Sequence, residues 1–116
     1  FEFDLKKLWE YNQFPIQAVL FRRELFEKFG GLSIELDALE DWDLWLRYSA
    51  ETDFVFVDLP TSRFRVPSST EELERRRQVH LSYLGTLRSR QRALYEQYRN
   101  TTLGYRLSAA FALNLI

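Results

Sequence analysis

Hydrophobic and polar positions divide the chain into short apolar runs and helical stripes. Residues 1–13 mix charge with aromatics (Phe1, Phe3, Leu5, Leu8, Trp9) and predict a short helix or an irregular lead-in. Phe14-Pro15 closes it, because the residue before proline is pushed toward extended geometry. Ile16 to Phe21 is a short apolar run, Ile-Gln-Ala-Val-Leu-Phe, and predicts a buried strand. Leu25, Phe26 and Phe29 share a face at helical spacing, so Arg23–Phe29 predicts one or two helical turns, stopped by Gly30-Gly31. A loop follows over 32–38. Leu39 to Ala50 predicts a helix with Leu39, Trp42, Leu46 and Ser49 on one stripe. Phe54 to Leu59, rich in β-branched and aromatic residues, predicts a second strand, with Ser62–Val66 beside it after Pro60.

Pro67-Ser68-Ser69-Thr70 reads as a linker ending in a helix cap, since Ser69 or Thr70 precedes Glu71 and Glu72. From there to about Asn100 no proline intervenes, which predicts one long helix interrupted only at Gly85. Leu103 to Ile116 predicts a final apolar helix. In the long helix Leu73, His80, Leu87 and Leu94 recur every seven residues, with Arg77, Leu84, Gln91 and Tyr98 in the second register. Two polar residues in that register make a poor coiled coil; packing against the rest of the chain explains the spacing better. The organisation expected is a front portion, 1–67, and a helical extension, 68–116.

Composition sharpens this picture. With 116 residues, 46% hydrophobic and 16% aromatic, the chain can bury one small core and is not of disordered composition. The net charge of -1 advertises neither nucleic acid nor an anionic membrane, so no nucleic-acid partner is expected. The charge is unevenly placed: residues 1–70 carry a net of -5 and residues 71–116 a net of +4. The absence of cysteine removes disulfides and thiolate chemistry and fits a reducing compartment. The expected location is cytoplasmic, with membrane association as the second option. A chain that opens Phe1-Glu2-Phe3-Asp4 and contains no methionine is expected to be a piece of something longer.

Candidate chemistry concentrates in Glu40-Asp41-Trp42-Asp43, three acids at the start of an otherwise apolar helix. Asp43 and Arg47 stand at i, i+4, a spacing suited to an ion pair. Glu40 and Asp41 lack such a local partner. Unpaired acids beside tryptophan at a loop–helix junction are candidates for a general base or a hydroxyl-binding site. First-turn acids also stabilise ordinary helices through the helix dipole, and tryptophans at helical spacing are ordinarily core. The lone histidine, His80, reads as a helix-face residue rather than a ligand.

The order of elements resembles the signature of family-2 glycosyltransferases over about residues 12–67. An apolar strand ending in two basic residues matches Val19-Leu20-Phe21-Arg22-Arg23. The short helix and glycine pair match Phe26-Glu27-Lys28-Phe29-Gly30-Gly31. The family's Glu-Asp-x-Asp-Leu-x-x-Arg matches Glu40-Asp41-Trp42-Asp43-Leu44-Trp45-Leu46-Arg47, and Phe54–Leu59 with Ser62-Arg63-Phe64-Arg65 continues the series. The sequence departs from the family where Leu32-Ser33 replaces Phe-Asp, and where Val66-Pro67 stands in place of a histidine that helps bind metal in many relatives.

The resemblance implies an α+β fragment, the acceptor-side part of a GT-A domain followed by the helical extension. It implies an inverting sugar transferase with Asp41 as the catalytic base, Glu40 holding acceptor hydroxyls and Trp42 flooring the acceptor subsite. Gln17, on the preceding strand, would face the pocket. The implied partners are a nucleotide-sugar donor and a carbohydrate or lipid-linked acceptor. A divalent metal, Mg or Mn, is implied in the full-length parent, with none bound by this stretch. The isolated stretch is expected to be inactive and to form homo-oligomers through exposed sheet edges. The rival reading is a non-catalytic interaction module built on the basic helix 71–99, which carries a net of +3.

Overall fold

The computed structural model describes residues 2–112. Its helices are α1 (Leu5–Glu10), α2 (Arg23–Phe29), α3 (Glu40–Tyr48), α4 (Thr70–Tyr98) and α5 (Thr102–Ala112), with a 3-10 turn at Ile16–Ala18. Among the described residues there is no β-strand. The α+β expectation is therefore corrected to an all-helical arrangement.

The reason lies in the two apolar runs. Ile16–Phe21 forms the 3-10 turn and then an extended stretch, and Phe54–Leu59 is irregular. A strand is defined by its partner, and β-propensity measures fit to a pleated, half-buried surface. The core here is built from helices, so neither run meets a sheet edge. Ser62–Val66 forms no strand beside Phe54–Leu59 either. Leu20 is 98% exposed and Val55 89% exposed, the reverse of what buried strands require.

Helix boundaries follow local chemistry. Asp4 caps α1, its Oδ1 accepting from the Lys6 and Lys7 amides at 2.9 and 3.3 Å. Gly30, at φ 79°, ends α2 in a conformation only glycine adopts cheaply, and its N–H returns to the Phe26 carbonyl at 2.8 Å. Ser69 caps α4 by accepting from the Glu72 amide at 3.1 Å. Helix α4 runs 29 residues, about 44 Å at 1.5 Å per residue, and passes through Gly85 without a break. At the α4–α5 corner a Cβ on Gly104 would stand 2.3 Å from the Arg99 carbonyl oxygen, so only glycine fits. Leu113–Ile116, the end of the expected final helix, lie outside the described residues.

The core is centred on α3. Trp42, Asp43, Leu44, Trp45, Leu46 and Tyr48 are all buried, so α3 is enclosed on most sides rather than along the single stripe expected. Leu5, Leu8 and Trp9 of α1, Leu87 of α4, and Leu103 and Leu107 of α5 complete the cluster. Residues from both sides of Pro67 thus share one core. Each tryptophan spends its indole N–H on tying the N-terminal residues to α3 and its C-cap. Trp9 donates to Ser49 Oγ at 3.3 Å, Trp42 to the Leu8 carbonyl at 2.6 Å and Trp45 to the Phe14 carbonyl at 3.1 Å. No helix of the described residues is long and apolar enough to cross a membrane.

Candidate functional site

The site is built on the corner where the loop after Gly31 enters α3. Leu39 precedes the helix in the left-handed region, φ 64° and ψ 13°, a conformation that costs a residue with a Cβ roughly 1–2 kcal/mol. Its carbonyl accepts from the Asp43 amide at 3.0 Å and starts the helix. The turn sets Glu40 and Asp41 at the half-exposed mouth of an otherwise enclosed element.

Asp41 is held at one oxygen. Its Oδ1 accepts from the Trp42 amide at 2.8 Å and from Asn12 Nδ2 at 3.1 Å. Among the described residues no group bonds Oδ2. Asn12 is in turn fixed by the Phe14 amide, which donates to its Oδ1 at 3.3 Å. Its neighbour Gln13 carries a buried Oε1 without a donor among the described residues, and such an acceptor costs about 1–3 kcal/mol unless something supplies the bond. The motif residues gave no sign of Asn12 or Gln13. Both lie nearly thirty residues before Asp41, on a segment whose path depends on where the tryptophans anchor it.

Asp43 does different work. It is 3% exposed and binds two guanidinium groups. Arg47 Nε donates to Oδ2 at 3.0 Å, and Arg90 donates through Nε to Oδ1 at 2.8 Å and through Nη2 to Oδ2 at 3.2 Å. Arg90 also reaches Glu35 Oε2 at 3.0 Å. The hydrogen bond to Asp43 is the largest influence holding the Arg90 proton more tightly than usual, against the opposing effect of burial. Arg47 turns its remaining nitrogens on the glycine corner: Nη1 donates to the Phe29 carbonyl and Nη2 to the Gly31 carbonyl. Tyr48 donates its hydroxyl to the Gly30 carbonyl at 3.0 Å. The glycine pair and the acidic helix, separated in sequence, are thereby one unit in space.

The remaining expected site residues fall elsewhere. Trp42 is 4% exposed, its indole N–H is spent on Leu8, and the Arg88 guanidinium lies 5.0 Å from its ring centroid. Its face is taken, so the expectation that it floors an acceptor subsite is corrected: Trp42 is a core residue. Gln17 is exposed in the 3-10 turn, not on a strand. Glu40 is half-buried, and among the described residues its carboxylate meets no hydrogen-bond donor or cation. No group of three His, Cys, Asp or Glu side chains among the described residues could hold a metal ion.

Helix α4 is fastened to this corner from its middle onward. Arg88 donates to the Trp9 and Glu10 carbonyls at 3.0 and 3.1 Å, Gln91 donates to the Trp9 carbonyl at 2.6 Å, and Tyr83 donates to Asp37 Oδ2 at 2.8 Å. These donors tie α4 from Tyr83 onward to the N-terminal segment and the loop before α3. No protein-family model, curated protein or solved structure matches the chain.

Proposed function

We propose that the chain is the acceptor-side part of an inverting transferase, which moves a sugar from a nucleotide-sugar donor to an acceptor hydroxyl with Asp41 as the general base. One observation carries this reading: Asp41 is oriented through Oδ1 by Asn12 and the Trp42 amide, while Oδ2 remains available at a half-exposed corner. A base needs that combination of fixed direction and one open lone pair. Asp43, two residues on, has both oxygens occupied by arginines and is positioned for structure.

In the proposed reaction Asp41 Oδ2 accepts the proton of the acceptor hydroxyl as that oxygen attacks the anomeric carbon. The bond from that carbon to the nucleotide diphosphate breaks, and the configuration inverts. Glu40, free of partners among the described residues, accepts from a second acceptor hydroxyl. The Arg47 and Tyr48 contacts to the 29–31 carbonyls keep the corner from relaxing when the acceptor enters. The donor is bound by groups outside this chain.

The test is sugar transfer by the longest natural polypeptide containing this chain, assayed with a panel of sugar nucleotides. Transfer that survives Asp41→Asn at near-normal rate rules the reading out.

A further inference from the structure

The N-terminal half of α4 carries an apolar cleft that the proposed transfer chemistry does not use. It has a volume of about 360 Å³ and is lined by Leu39, Pro67, Leu73, Leu81 and Leu84, with Arg76, Arg77 and His80 among them. The volume lies at the small-molecule end of binding cavities, which run from about 300 to 1,000 Å³, and a helix or a folded partner would need a longer groove. Leu73 and Leu81 are each about half exposed, 50% and 49%, on a helix that is otherwise strongly charged. The lining side chains include three that can carry positive charge and no carboxylate.

We propose that this cleft binds an alkyl phosphate, a single hydrocarbon chain carrying a phosphate head. The leucines and Pro67 take the chain, and Arg76, Arg77 and His80 take the head. Phosphate fits the head position better than carboxylate. Its charge is about -1.5 to -2 near neutral pH, so it engages two guanidinium groups at once, whereas one arginine fork satisfies a carboxylate. Both arginines have donors to spare. Arg76 meets Glu72 through Nη2 at 3.1 Å, and Arg77 meets Glu74 through Nη1 at 3.5 Å. These are exposed pairs within one helix, which contribute little and yield readily to a stronger anion. The cleft's lining includes Leu39, the left-handed residue that precedes α3, so the ligand would sit beside the corner that presents Glu40 and Asp41.

Isothermal titration of the 116-residue chain tests this with dodecyl phosphate kept monomeric, dodecyl maltoside, dodecanoate and inorganic phosphate. The expected result is one saturable site for dodecyl phosphate. Binding should be at least about tenfold weaker for dodecanoate and dodecyl maltoside and undetectable for inorganic phosphate. Arg76→Gln/Arg77→Gln should weaken dodecyl phosphate by about tenfold and leave dodecyl maltoside unchanged. Leu81→Asn, at a half-exposed position, should weaken both amphiphiles without lowering Tm. Equal affinity for the neutral detergent, binding of phosphate alone at the same strength, or indifference to the arginine pair would each overturn the proposal.

Discussion

Arg90, from the middle of α4, grips both carboxylate oxygens of Asp43, through Nε at 2.8 Å and Nη2 at 3.2 Å. This joins residues 47 positions apart in sequence and fixes the long helix against the acidic corner. Arg47 approaches the same carboxylate from its own helix, so Asp43 balances two cations inside the fold.

Breaking that network should cost stability. Removing one partner of a buried pair typically costs about 3–5 kcal/mol. The Arg90 side chain here is 30% exposed, so solvent recovers part of it. Asp43→Asn is expected to lose about 2–3 kcal/mol after that discount. Arg90→Gln should lose less, because Arg47 still pairs the aspartate. Urea denaturation of both single variants and the double variant gives the coupling. Strict additivity would show that the two residues do not act together.

Arg47→Lys should loosen the corner even though charge is kept. A lysine can meet Asp43 but cannot also fork to the Phe29 and Gly31 carbonyls, because its ammonium is a single point. Two carbonyl hydrogen bonds at about 0.5–1.5 kcal/mol each are at stake. The expected signature is faster amide hydrogen exchange over residues 29–33 with little change in α4. Uniform exchange across the chain in the variant would contradict it.

The sequence shows the parts whose causes are local. Helix α2 can be bounded from the Leu25, Phe26 and Phe29 spacing and the Gly30 stop. Helix α4 can be bounded from the Ser69 cap and the absence of proline. The Asp43–Arg47 pair follows from i, i+4 spacing. The strands misled because Ile-Gln-Ala-Val-Leu-Phe reads the same whether or not a sheet edge is present to pair it. Trp42 misled for a related reason: its exposure was decided by Leu8 and Arg88, which lie on two other helices. Asn12 was invisible because its contact with Asp41 spans 29 residues and is set by how the tryptophans anchor the N-terminal segment.

Leu20 and Val55, the most exposed members of the two apolar runs, lead to a prediction about self-association. The accessible surface is 8714 Å², whereas a compact monomer of this mass exposes about 6,700 Å². The radius of gyration is 15.2 Å, against about 13.4 Å for a compact domain of this length. Leu20, Val55, Val57, Leu59, Phe64 and Val66 are among the large apolar side chains left exposed, and exposed apolar surface beyond a few hundred Å² tends to be buried between chains. The chain should therefore associate with itself, its mass in light scattering rising with concentration. Val55→Lys with Val57→Lys should reduce that rise without lowering Tm. A strictly monomeric mass at millimolar concentration would count against the prediction.

Alkaline titration should weaken the fold through two tyrosines. Burial holds the Tyr48 proton more tightly than usual, partly offset by Arg47, and the hydrogen bond to Asp37 does the same for Tyr83. Both groups are therefore protonated more firmly when folded than when unfolded. Their contribution is fully present below the unfolded tyrosine value of about 10. It is lost as pH rises through the higher folded values. Stability measured by urea at pH 8, 9.5 and 11 should fall at the top of this series. Tyr48→Phe with Tyr83→Phe should flatten the fall, and an equally steep fall in that double variant would assign it to other groups.

The sharpest comparison is between Asp41 and Asp43 in the longest natural polypeptide that contains this chain. Asp41→Asn is nearly isosteric, and the side-chain oxygen it keeps can still accept from Asn12 and the Trp42 amide. The corner should survive at a cost of about 0.3–1 kcal/mol in lost helix-dipole interaction. The amide cannot take up the hydroxyl proton, so turnover at saturating donor should fall by about 10²–10⁴, with donor affinity unchanged. Asp43→Asn should behave the opposite way, lowering Tm through the lost arginine network while the folded fraction keeps its turnover. Melting temperature and turnover measured on both variants separate the two roles. If Asp41→Asn keeps its activity, or if it loses activity only by unfolding, then the acids at the start of α3 serve the helix alone and the base must be sought elsewhere.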